Sequence, residues 1–175
     1  MILSVIGLVS ISLLLIYQQA QPQKPDLDSL FAPEINEMHQ HAAVLVKIFG
    51  DKFDFNIPKY QNTSYWMNFE APYDDIIHIH SDRGTVGFLF ETLNFKIDEQ
   101  CFVFPDGRDF CTDEKYSLKY FVNDIQVSSL NDYVVIDGDR ILISFGPETK
   151  KELNLQLEEL YSQQLDIDME HLVGK

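Results

Sequence analysis

Basic side chains are scarce in this chain. Only 13 Lys and Arg stand against 28 Asp and Glu, a formal net charge of −15 over 175 residues. The densest basic spot is the doublet Lys150-Lys151. Phosphate backbones are bound by grouped Lys and Arg, so the composition argues against a nucleic-acid partner and against anionic lipid heads. Signatures of catalysis are missing too. There is no G-x-S-x-G, no H-E-x-x-H and no phosphate-cradling glycine loop. Gly84-Thr85-Val86-Gly87 reads as a helix start, and Asp74-Asp75 and Asp137/Asp139 read as turn carboxylates. Enzyme chemistry is therefore the weaker expectation. Cysteine is limited to Cys101 and Cys111, with no C-x-x-C pair, which disfavours a thioredoxin-like redox role.

Charge is absent from the front of the chain. Residues 1–17 read MILSVIGLVSISLLLIY, and no charged side chain precedes Lys24. A spanning helix needs about 20 apolar residues, a length reached here by including Gln18 to Ala20. A cleaved signal needs a basic n-region and small residues before the cut. The basic region is missing, and Gln18 and Ala20 make a poor cleavage pair. Residues 1–20 are thus read as an uncleaved signal anchor, a membrane helix that tethers the chain at the cytoplasmic membrane. The bulk would lie on the exterior face, with cleavage and secretion as the second reading and a buried helix last. The polar residues 21–38, carrying three of the seven prolines, read as a linker.

What the chain does have is a pair of His-x-His tripeptides, His39-Gln40-His41 and His78-Ile79-His80, holding four of its five histidines. Histidine is the commonest metal ligand at neutral pH. Side chains two apart on a strand point the same way, so both imidazoles of a pair can face one ion. Each pair sits at the edge of a strand-like segment, Ala42 to Phe49 and Ile76 to His80. If these strands are antiparallel neighbours, the start of one lies beside the end of the other and all four imidazoles reach one edge. Imidazole suits Zn²⁺, Cu²⁺ or Ni²⁺. Met38 and Asp82 are close enough in sequence to complete or tune a site. The bland alternative is that His78 and His80 are exposed strand residues and that His39 and His41 end a linker.

The two cysteines flank FVFPDGRDF, with the turn Pro105-Asp106-Gly107 centred between them. Five residues to either side of Asp106, they face each other across a hairpin at a separation that disulfide geometry accepts. An exported location permits the bond, so a structural disulfide is expected, with a thiol metal site or a redox pair as the alternatives. Thr85 is positioned to cap a helix over 86–95 with Val86, Leu89, Phe90 and Leu93 on one face. A short return strand is expected at Phe53–Phe55 and strands at Tyr65–Phe69, Leu118–Asn123, Ile125–Val127 and 141–145. The aromatics Tyr60, Tyr65, Trp66, Phe69 and Tyr73 are expected mainly as core cover rather than a ligand groove. Residues 148–165 look helical, with Leu153, Leu157 and Leu160 on one stripe and His171 in the tail beyond.

Strand, strand, helix, strand, strand, strand is a β-grasp order. Residues 119–127 (KYFVNDIQV) and 130–146 (LNDYVVIDGDRILISFG) resemble the second half of the small sulfur carriers of that superfamily. Those carriers end in a Gly-Gly tail, whereas here Phe145-Gly146 runs into Pro147 and a helix, so their chemistry is not implied. Residues 39–148 also resemble a family of uncharacterised exported archaeal proteins. The resemblance rests on the two His-x-His pairs, Asp54-Phe55 with Lys59-Tyr60-Gln61, Thr85 to Leu93, the cysteine pair and Asp137 to Gly146. That family often carries an H-x-E near its middle, which reads Asn68-Phe69-Glu70 here and leaves Glu70 as an auxiliary ligand. The resemblance brings no established activity.

The expected architecture is α+β. It comprises a β-grasp-like mixed sheet with one packed helix over 39–147, a disulfide hairpin insertion, an N-terminal anchor helix and a C-terminal helical tail over 148–175. The expected function is binding of a Zn or Cu ion through His39, His41, His78 and His80. The alternative is a non-catalytic structural or protein-interaction module of a cell-surface or membrane complex, docking a protein partner through the C-terminal helix or a sheet edge.

Overall fold

The computed structural model describes residues 39–165. The expected anchor and linker, Met38 and His171 lie outside them. Among the described residues no helix is long and apolar enough to cross a membrane.

The chain forms a mixed α+β structure. Its centre is β1 (Gln40–Ile48), whose run AAVLV is buried on both faces. A near-continuous apolar strand of this kind fits only the middle of a sheet covered on both sides. β1 pairs in parallel with β10 (Arg140–Gly146), Val44 opposite Ile141 and Val46 opposite Ile143. On its other side it pairs antiparallel with β4 (Tyr73–Ile79). β3 (Met67–Glu70) and β9 (Ile125–Val127) form the edges, and β8 (Ser117–Val122) lies between β10 and β9. The order is β3-β4-β1-β10-β8-β9, with β2 (Asp51–Lys52) added beside β1.

Alternation along β1 splits its side chains between two cores. Ala42, Val44 and Val46 face the larger one, where α1 (Val86–Thr92) contributes Val86, Phe88, Leu89 and Phe90. The Thr85 hydroxyl caps α1, accepting from Phe88 N at 3.0 Å. The helix stops at Thr92, short of the expected Phe95. Asn94 adopts a left-handed φ of 64°, and Phe95 N returns to Phe90 O at 2.9 Å, satisfying an end carbonyl. Phe95 then stacks on Phe102 within the same core.

A small second sheet of β5 (Lys96–Ile97), β6 (Cys101–Val103) and β7 (Asp109–Cys111) closes this side. Cys101 is registered opposite Cys111, and the two are disulfide-bonded. The expected return strand at Phe53–Phe55 is a correction. Pairing is confined to β2, with one further bond from Phe53 N to Val46 O at 2.9 Å. The rings of Phe53 and Phe55 pack instead against Tyr60, Phe69 and Phe95. The aromatics of the long connection are divided. Tyr60, Trp66 and Phe69 are buried, whereas Tyr65 and Tyr73 are exposed.

The opposite face of the sheet presents Ala43, Leu45, Ile76, Phe121 and Leu142, and α2 (Lys150–Tyr161) covers it with Leu160, Leu153 and Leu157. The helix is shorter than the 148–165 expected because it ends at Tyr161, where Ser162 N closes the last turn on Glu158 O and Glu159 O; its start is fixed by local signals. Thr149 and Glu152 form a reciprocal capping box, Thr149 N donating to Glu152 Oε2 at 2.7 Å. Lys47 on β1 adds an ion pair to Glu159 at 2.7 Å.

Candidate metal centre

The β1–β4 register builds the site. His41 lies directly opposite His78, and Gln40 opposite Ile79. Cross-strand partners share a face, and residues two apart on a strand share it again. His39 and His80 extend the same ladder by one step, so the four imidazoles form a two-by-two grid at the start of β1 and the end of β4. Ring centroids lie 4.7 Å apart for His39–His41, 4.8 Å for His41–His78, 4.8 Å for His39–His80 and 5.6 Å for His39–His78. The grid is on the α2 side of the sheet, in line with Ala43 and Leu45 of β1 and Ile76 of β4. Ile77 and Ile79 point the other way into the larger core, which anchors β4 and fixes the direction of its histidines.

Two contacts hold the start of β1 in place. His41 N donates to Asp137 Oδ1 at 3.0 Å, and Gly138 N donates to His41 O at 2.8 Å. The turn 137–139 is thus a clip on the histidine strand. Gly138 has a φ of +84°, and Asp139 is buried and accepts from Asn123 Nδ2, Tyr133 Oη and Ile136 N at 2.8–3.0 Å. The network makes the turn rigid, so its hold on His41 is rigid as well.

His39, His41 and His78 offer ligand nitrogens that all lie within 4.8 Å of one another. His39 Nε2 and His41 Nε2 are 3.0 Å apart. Two ligands of one tetrahedral ion at 2.0–2.1 Å are separated by about 3.3 Å, so this pair needs almost no movement to share an ion. His78 is 1 % exposed, and neither of its ring nitrogens has a hydrogen-bond partner among the described residues. A buried, unpaired polar nitrogen costs roughly 1–3 kcal/mol, a penalty that a bound ion would remove. His80 Nε2 lies 3.0 Å from His39 Nδ1, and His80 Nδ1 lies 2.8 Å from Tyr65 O.

The electrostatics favour neutral rings with free lone pairs. Burial pushes the pKa of His78 down to about 4, helped by His41, His39 and His80. Burial also lowers His41, with His39 adding to it, while the carboxylates of Asp137 and Glu70 oppose. His39 is lowered by burial and by His80, with Glu70 again opposing. Metal binding requires deprotonated imidazole, and these shifts favour that form.

The auxiliary candidates separate. Glu70, at the end of β3, acts on His39 and His41 through its charge. Asp82 lies in the turn beyond β4, 3.9 Å from Arg83. Two participants escaped the sequence reading. Asp137 reads in the sequence only as a turn residue, and the Tyr65 carbonyl carries no sequence signal at all. Against protein-family models, curated proteins and solved structures alike, this chain finds no match.

Proposed function

We propose that this chain is a membrane-tethered, extracytoplasmic module that binds one divalent transition-metal ion, Zn²⁺ or Cu²⁺, at the histidine grid. The observation that carries the reading is His78: a buried imidazole with both nitrogens unpaired among the described residues, facing two further imidazoles whose nitrogens lie within 4.8 Å. Structural burial alone would favour Leu or Phe at this position over an unsatisfied ring. The apolar run at residues 1–20 supports the tether, and the single hairpin disulfide suits an exterior compartment.

The strand order β4-β1-β10-β8-β9, with its central pair parallel and α1 on one face, supports a β-grasp-like framework for the site. Kinship with the exported archaeal proteins fits the same pattern of motifs. The competing role of α2 as a docking helix has less support, because its leucine stripe already covers the sheet.

The test is calorimetric titration of the purified full-length protein with Zn²⁺ and Cu²⁺, with metal content measured after dialysis. One ion per chain is expected, with binding lost in His78→Ala and His41→Ala. Wild-type protein that retains no metal and shows no heat of binding would overturn the reading.

A further inference from the structure

We infer that the metal ion has only three protein ligands, His39 Nε2, His41 Nε2 and His78, and that its fourth position is open to a small exchangeable donor such as water or an anion. The inference rests on the metal-binding reading and specifies what that site can do.

It follows from the direction of the hydrogen bonds around His80. The Tyr65 carbonyl can only accept, so the 2.8 Å contact makes His80 Nδ1 the N–H of that ring. His80 Nε2 then carries the lone pair. It sits 3.0 Å from His39 Nδ1, which must be the donor. A neutral His39 protonated at Nδ1 has its lone pair at Nε2, which accepts from His41 Nε2 at 3.0 Å in the metal-free chain; on binding, His41 holds its proton at Nδ1 instead and frees Nε2 for the ion. The chain of contacts therefore selects the tautomer that presents His39 Nε2 to an ion. It also places His80 against the far side of the His39 ring, away from that nitrogen. His80 is a positioning residue that orients a ligand, an arrangement in which a histidine ligand gives its second N–H to an acceptor.

The remaining nitrogens agree. Among the described residues His39, His41 and His78 form the close ligand group, and His80 is outside it. Four-ligand sites are closed and structural, whereas three-ligand sites retain a position for water or substrate. The open position has a route to solvent, since His39 is exposed while His78 forms the buried floor. Tyr65 flanks this mouth, 58 % exposed, with its ring 5.3 Å from His80.

The experiment loads the full-length protein with Co²⁺ in place of the native ion and follows its visible d–d absorption and X-ray absorption fine structure. Three imidazoles and one oxygen are expected, with the d–d bands shifting on addition of azide. His80→Ala is expected to keep one Co²⁺ per chain with affinity lowered about 10–100-fold, the cost of losing an orienting partner. His80→Gln, whose amide oxygen can accept from His39 Nδ1, is expected to recover most of that loss. Four imidazoles with azide-silent bands would overturn the open site while leaving metal binding intact. So would two Co²⁺ per chain, or His80→Gln failing as completely as His78→Ala. No Co²⁺ binding by the wild type would overturn the metal reading and this inference together.

Discussion

At the scale of single residues, His78 differs from an ordinary core position in carrying an ionisable ring. Its neutral form is favoured in the folded chain, with the pKa moved from 6.5 to about 4, first by burial and then by the neighbouring histidines. Between those values the unfolded chain binds a proton that the folded chain refuses. Stability is therefore complete above about 6.5 and declines as pH falls toward 4. The shift corresponds to something on the order of 3 kcal/mol. Urea unfolding of the metal-free protein at pH 7.5 and 4.5 should show this loss. His78→Leu should remove most of it and should be no less stable at neutral pH, because the unpaired nitrogens go with the ring. A leucine variant with the same pH dependence as wild type would mean that the shift belongs elsewhere. Asp139 tests the clip in the same way. Its carboxylate receives three donors in a buried setting, so Asp139→Ala should cost roughly 3 kcal/mol or more, read from chemical denaturation.

At the scale of elements, much of the architecture was legible because local chemistry and packing agree. Thr85 caps α1 as its position before an apolar stripe implies, and the symmetry of Cys101 and Cys111 about Asp106 matches the register that pairs them. The strand Ile125–Val127 has the bounds read from sequence. Legibility failed where tertiary contacts outweighed local pattern. Phe53 and Phe55 alternate like a strand, yet their rings gain more from an aromatic cluster than from a longer ladder. The convergence of the histidines was visible as strand-edge spacing, but the burial of His78 was not. The rings of His39 and His41 pack against His78 across the β1–β4 pairing, and no local pattern shows that contact. That helix carries its own prediction. Leu160 is fully buried against Leu45 and Leu142 of the sheet's second face, so Leu160→Ala should cost about 2–5 kcal/mol. Thr149→Ala, which breaks the capping box, should cost about 1 kcal/mol. Amide exchange along 153–160 should rise in both variants. If either substitution leaves exchange and unfolding midpoint unchanged, α2 is not docked on the sheet in solution.

At the scale of the whole molecule, the proposed site ties metal binding to the fold itself. Its ligands come from two strands separated by more than 30 positions in sequence, and only the β1–β4 pairing brings them together. An unfolded chain keeps at most two isolated His-x-His pairs, each a poor chelate beside the assembled site. An ion that prefers the folded state stabilises it by mass action, about 2.7 kcal/mol at a free concentration 100-fold above the dissociation constant. For a domain of about this size that corresponds to a rise in Tm on the order of ten degrees. The rise should saturate with added Zn²⁺, reverse with a chelator, and vanish in His41→Ala. The variant's metal-free Tm should stay close to that of wild type, because Asp137 holds the backbone of residue 41, not its ring. The disulfide gives an independent control. Reducing Cys101–Cys111 should lower Tm with and without metal by the same amount, since the hairpin closes the opposite side of the sheet from the histidines. A metal-induced rise that survives His41→Ala would place the bound ion elsewhere, most simply among the abundant surface carboxylates, and the histidine grid would then need another explanation.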